Sequence, residues 1–340
     1  MNIFPFDILR LVLAYLVVAS HIIGLSDTEV DLPFRHLYDA ELAVYTFFAV
    51  SGFFIVKSYS SSRSILHFLS KRFMRIYPAY IVIIIAPVIF GFIVQTEDMF
   101  SRDCFESVGR YFIANAFTLN FIAPQFCGLF ENSATNAVNG SLWTIKNEVL
   151  FYLIVPIIIF LKRNLGSLSV FIGLTSLAYL YSYLVFIVFP DQLAIFLQRQ
   201  FPSLLAYFSI GIFMASSATG EKILNKILGL FFLLVLHYFF DAKNLNQLIT
   251  VYLFFWLFLI IIDKIEIVRP PAYVDISYSL YLVHFPVIQF YLILTDNAEN
   301  TFTTPIVEIL GLIFVFAIIL SRYVELPIME RYKNDRTKRR

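Results

Sequence analysis

Ten apolar stretches, each long enough to be read as a membrane span, succeed one another between residues 6 and 324. A helix of about twenty apolar residues crosses the roughly 30 Å of bilayer hydrocarbon, and lipid offers the backbone no other hydrogen-bond partners. The stretches lie near residues 6–25, 42–56, 79–94, 142–161, 168–189, 201–215, 223–240, 248–262, 276–294 and 305–324. The expected fold is therefore all-α, a polytopic helical membrane bundle of about ten transmembrane helices. Composition agrees: 59% of residues are hydrophobic and only 14% charged, with a mean hydropathy of +0.79, outside the range of soluble domains.

Charge fixes the orientation. If the N-terminus is inside, the inner connections hold Lys57, Arg63, Lys71, Arg72 and Arg75, then Lys162 and Arg163, Lys222 and Lys226, Lys264 and Arg269. The C-terminal tail adds Arg331, Lys333, Arg336, Lys338, Arg339 and Arg340. The outer connections hold Asp27, Glu29, Asp31, Asp39, Glu97, Asp98, Asp103, Glu106, Asp191, Asp241, Asp296 and Glu299. Basic loops stay in the cytoplasm, so both termini are expected there, and a net charge of +1 hides the asymmetry. Removing the fourth stretch would put the later basic pairs outside, which supports counting it. Residues 1–330 then form a single transmembrane domain with an external loop at 95–141, followed by a basic cytoplasmic tail at 331–340. No basic segment precedes the first stretch, which reads as a retained helix rather than a cleaved signal.

Polar residues within the spans are candidates for chemistry, because each costs a few kcal/mol in hydrocarbon unless partnered or wetted. Arg10 and His21 are eleven residues apart in the first stretch, hence on one helix face and roughly 16 Å apart. Arg10 is either a snorkelling anchor or a functional cation, and His21 either a bonded packing residue or a proton acceptor. In the fourth stretch, Glu148 and Tyr152 are one turn apart. With a helix starting near Leu142, Glu148 lies about 9 Å and His21 about 6 Å below the outer ends of their spans. Matching depths make a carboxylate–imidazole pair the expectation, Glu148 orienting His21 as general base, against a buried ion pair of Glu148 with Lys146 or Arg10.

Other positions support these. Ser51-Gly52 in the second stretch is most simply a small-residue helix contact. His284 precedes Pro286, which frees backbone carbonyls, so it is either a second site residue or bonded to them. Lys71, Arg72 and Arg75 form a basic cluster that either holds anionic lipid or receives the phosphates of a cytosolic cofactor, to which planar guanidinium groups are suited. The external loop is long and aromatic, and is expected to fold over the mouth of the bundle. Its Cys104 and Cys127 are either a disulfide or two thiols, and two cysteines alone make no metal site.

Taken together and in order, these elements resemble the integral-membrane acyltransferase-3 family. Arg10 with His21 is similar to the family's Arg-ten-residues-His pattern, and the segment Phe47 to Phe53 to its FFxxSGF element. Arg72 and Arg75 match RxxR; Ser141-Leu142-Trp143 through Glu148 and Tyr152 matches LWxxxxE; Tyr278 to His284 matches YSxYLxH; Glu325 and Pro327 match ExP. Thr46 departs from the pattern, standing where an acidic residue is usual. The resemblance implies O-acetyl transfer: acyl-CoA, acetyl-CoA above all, as cytoplasmic donor and an extracytoplasmic carbohydrate such as O-antigen, capsule or exopolysaccharide as acceptor, in the bacterial inner membrane. It further implies His21, Glu148 and Arg10 as catalytic residues, Lys71, Arg72 and Arg75 as donor-binding, and Ser51, Trp143, Tyr152, Tyr281 and His284 as supporting, with no metal. The bilayer and polysaccharide-assembly proteins are the implied partners.

The alternative is a transporter or exporter of a small solute or lipid-linked sugar that uses Arg10, His21 and Glu148 as its pathway. There is no Walker loop, GxGxxG, HExxH or GxSxG, and the basic residues sit where topology alone would put them, so nucleic acid is not an expected partner.

Overall fold

The computed structural model describes residues 3–26, 39–94, 100–215, 223–240, 243–271, 273–295 and 303–337. Of the charges used for orientation, Asp27, Glu29, Asp31, Glu97, Asp98, Lys222, Asp241, Asp296, Glu299, Lys338, Arg339 and Arg340 lie outside the described residues. Among those described there is no strand. The helices are α1 (Phe4–Leu25), α2 (Ala40–Ser60), α3 (Ile65–Val94), α4 (Arg102–Ala116), α5 (Trp143–Leu165), α6 (Ser167–Val188), α7 (Asp191–Gln198), α8 (Phe201–Ala215), α9 (Ile223–Phe240), α10 (Lys243–Lys264), α11 (Ser277–Leu294) and α12 (Thr303–Leu320). A π-helical turn (Ser321–Glu325) then leads into α13 (Leu326–Thr337). Eight segments, with α12 to α13 taken as one, are long and apolar enough to cross a membrane. The shorter helices α8 and α9, of 15 and 18 residues, hold the other two expected places. The protein is a multi-pass membrane protein.

The third span departs from expectation. It is not preceded by a connection reaching Pro78: α3 is a single helix of 30 residues, about 45 Å long, with Lys71, Arg72 and Arg75 in its first half. The buried positions Ile76, Ala79, Tyr80, Ile83 and Ile84 keep helical spacing on both sides of Pro78, and that packing carries the helix through the proline.

The chain divides into two compact units. The first comprises Met1–Ile8, Glu41–Ser70 and Asn147–Pro271. In it α2 and α8 cross backbone to backbone: a Cβ on Gly52 would overlap the Phe208 carbonyl, and one on Gly211 the Ala49 carbonyl. Gly52 is thus the small-residue contact expected. Around the crossing Phe151 stacks on Phe208 with centroids 4.2 Å apart, and Phe6 packs against Phe53, Phe54 and Phe258.

The second unit comprises Leu9–Ala40, Lys71–Lys146 and Ala272–Arg340. Here the described part of the 95–141 segment packs against α3 and α11. α4 turns back along α3: Phe92 meets Phe105, and Tyr77 and Tyr80 donate to the Ala116 and Asn115 carbonyls at 2.6 and 2.9 Å. One face of α4, with Cys104, Tyr111, Ala114 and Asn115 buried, accounts for this docking. Cys104 and Cys127 are joined as a disulfide, with Cα atoms 4.9 Å apart. The chain then runs antiparallel to α11, where Gln289 donates to the carbonyls of Thr135 and Ala137.

Candidate active site

The second unit brings His21 and His284 together. His284 Nε2 lies 3.1 Å from His21 Nδ1, and the ring centroids are 5.1 Å apart. Hydrogen-bond partners dictate the tautomers of the neutral pair. The Tyr281 carbonyl, 2.7 Å from His284 Nδ1, can only accept, so Nδ1 carries the proton and Nε2 is a bare acceptor. His21 Nδ1 faces that acceptor and the Val17 carbonyl at 3.0 Å, so it too is protonated. The lone pair of His21 Nε2 is then the basic one. His284 is fully buried and His21 half-buried, so the inner ring is locked and the outer ring is the reachable one.

Residues 139–144 hold α11 in the shape this needs. Pro286 has no N–H to give to the Leu282 carbonyl, and Asn139 Nδ2 takes its place at 3.0 Å. Asn139 Oδ1 accepts from the Ser141 backbone and hydroxyl at 3.1 and 2.7 Å, which fixes the amide. A Cβ on Gly140 would stand 2.7 Å from the Phe285 ring, and that ring packs edge-on against His21. Tyr281 bonds the Thr144 hydroxyl at 2.8 Å and the Ser141 carbonyl at 3.2 Å. Trp143, half-buried, begins α5 beside these contacts.

A second cluster gathers the cations. Arg75 lies 3.3 Å from Glu325 and 3.8 Å from Asp275, and Asp275 is also 3.7 Å from Arg10. Glu325 accepts from Ser279 at 3.1 Å, and Asp275 from the backbone and hydroxyl of Ser277. Arg72 and Lys71, both half-buried, lie about one turn before Arg75 on α3. The π-turn explains how Glu325 arrives. Pro327 cannot donate to the Tyr323 carbonyl, the ladder loosens, and the Leu326 N–H bonds Ser321 instead. Glu325 is thereby carried inward until only 4% of its side chain is exposed.

Glu148 belongs to the first unit. There it accepts from the Ser51 hydroxyl at 3.2 Å and from Tyr152 one turn on. Ser51, Glu148 and Tyr152, named separately from the sequence, thus meet in one constellation, while His21, in the other unit, has His284 on its Nδ1. Asp275 and Asn139 are site residues that the sequence pattern does not single out. The signal for Asn139 was its place at the head of the Asn-Gly-Ser-Leu-Trp run; for Asp275 there was none beyond a lone acid among inner basic residues.

A family model described as an acyltransferase domain matches residues 5–323. The chain is also similar to a protein named "O-acetyl transferase" from Shigella phage Sf6, with 33% identity over 162 residues, 47% of this chain and 46% of that protein. The match thus covers about half of each. No solved structure matches the chain significantly.

Proposed function

The chain belongs to the acyltransferase-3 family, and on that premise we propose that it moves an acyl group, acetyl in the first instance, from cytoplasmic acyl-CoA to a hydroxyl of extracytoplasmic carbohydrate such as O-antigen, capsule or exopolysaccharide. His21 Nε2 takes the proton of the acceptor hydroxyl. The oxygen attacks the thioester carbonyl, the C–S bond breaks, and the CoA sulfur leaves with a proton. His284 holds His21 in the tautomer this requires.

Arg10, Arg72 and Arg75, with Lys71, are the proposed phosphate ligands of the donor. Arg10 lies roughly 16 Å along α1 from His21, too far to touch the reacting carbonyl, which favours the donor over the oxyanion as its partner. Phosphates entering here would exchange with the Asp275 and Glu325 carboxylates on Arg75. Glu148 keeps a proposed catalytic part. The bacterial inner membrane is the proposed location, with polysaccharide-assembly proteins as neighbours.

The observation that carries this reading is the His21–His284 pair, with a bare ring nitrogen on a half-buried histidine. The test is proton NMR of envelope polysaccharide from a deletion strain complemented with wild type, His21→Ala or Arg72→Ala, at matched membrane abundance. The acyl signal should return with wild type alone. An unchanged acyl signal on deletion, with altered export of a solute or glycan, would put the transporter in its place.

A further inference from the structure

The first unit contains a cavity of about 370 Å³ among α2, α6, α7, α8 and α10, lined by none of the residues expected to be functional. Its mouth is made by Glu41, Gln198 and Arg199, and its walls by Tyr45, Tyr179 and Tyr207. We propose that this cavity is the binding site of a neutral sugar unit of the acceptor glycan. The proposal rests on the carbohydrate-acceptor reading above and names where that acceptor is held.

Four features support a sugar. The charges at the mouth cancel: Glu41 and Arg199 are paired at 2.8 Å, so the site asks for no net charge, yet it offers a carboxylate that accepts from hydroxyls beside a guanidinium that donates to them. Gln198 adds an amide with both capacities. The walls are aromatic, Tyr45 stacked on Tyr207 with centroids 4.1 Å apart, and the apolar C–H face of a pyranose packs on such rings. Size fits as well, since at about 30 Å³ per water-sized group the cavity has room for roughly a dozen, the number of heavy atoms in one hexose.

The walls are pre-set rather than collapsed. Ser182 donates to Ser203 at 3.0 Å, and Gln198 donates to the Ser182 carbonyl at 3.4 Å. Within the same unit the cavity is tied to Glu148's helix, because Asn147, the residue before Glu148, donates its side-chain amide to the Arg199 carbonyl at 3.1 Å. By the charge rule α7 and the start of α2 lie at the outer surface, the side on which a glycan waits.

The test uses the full-length protein in detergent and, as probe, oligosaccharide released from the producing strain's surface polysaccharide and stripped of O-acyl groups with mild alkali. Saturation-transfer NMR and calorimetry compare wild type, Gln198→Ala and the double variant Glu41→Gln with Arg199→Gln. Glu41 and Arg199 are about half exposed, so the double variant keeps the packing, and retained acetyl-CoA binding checks its fold. The expected result is binding by wild type and at least tenfold weaker binding by both variants. Equal binding by all three overturns the cavity as the site and leaves the acceptor reading intact. No binding by wild type also overturns it, and the polysaccharide NMR described above then decides whether the acceptor reading falls too.

Discussion

His284 Nε2 stands 3.1 Å from the Nδ1 of His21, two histidines 263 residues apart meeting through ring nitrogens. A carboxylate in this position would hold the proton on His21 Nδ1 by charge. A neutral imidazole does so only while its own Nδ1 is occupied by a carbonyl, here that of Tyr281. The consequence is directional: the inner ring can be replaced with partial loss, the outer ring cannot. His21→Ala should lower transfer by about 10²- to 10⁴-fold, the usual worth of a positioned base. His284→Asn should cost less and alter the pH–rate profile, both read from thiol release by purified protein.

Asn139 caps the carbonyl that Pro286 orphans. Asn139→Ala leaves the buried Leu282 oxygen without its donor, at a cost of about 1–3 kcal/mol. Gly140→Ala drives a methyl into Phe285 and thence toward His21. Both variants should lose activity out of proportion to their fall in thermal stability in detergent.

Arg75→Ala removes a cation from a carboxylate that has almost no water around it. Glu325 would be left buried without its Arg75 partner, and the loss should be on the order of 2–4 kcal/mol, somewhat below a fully buried pair because Arg75 is one-third exposed. Adding Glu325→Gln should restore stability but not transfer. A double variant no more stable than Arg75→Ala would refute the pairing.

Gly52→Ala and Gly211→Ala press a methyl against the facing backbone of α2 and α8. Each should cost about 1–3 kcal/mol and lower membrane abundance, and because Ser51 lies beside the crossing, activity per molecule should fall as well. Quantitative blotting with normalised transfer assays separates the two effects.

The Cys104–Cys127 disulfide spans 23 positions, for which loop-closure entropy gives about 3 kcal/mol. Cys104→Ser with Cys127→Ser should lower the unfolding temperature, and reductant should match the double variant in wild type while adding nothing to the variant.

The sequence read well wherever one residue's neighbours in the chain decide its surroundings. Ten apolar runs announce helices, and Arg72 and Arg75 share a helix face by spacing alone. It read poorly where the partner is distant. Asp275 gains its meaning from Arg10 and Arg75, some 265 and 200 residues away, and no periodicity links them. His21 and Glu148 take partners that counting residues from the span ends does not reveal, His284 for the one and Ser51 for the other. Likewise α3 looked like a loop followed by a span because Pro78 reads as punctuation, while the packing on either side of it does not show in one dimension.

The π-turn at Ser321–Glu325 is, in effect, one residue of surplus wound into an otherwise regular helix. Most helices answer a deletion with misfolding. This one would absorb the removal of Val324 by relaxing to an α-helix, with Glu325 kept on nearly the same face. A deletion in the regular part of α12 would instead turn every later residue about 100° around the axis, so the chain tolerates a lost residue at this turn and not a few positions earlier.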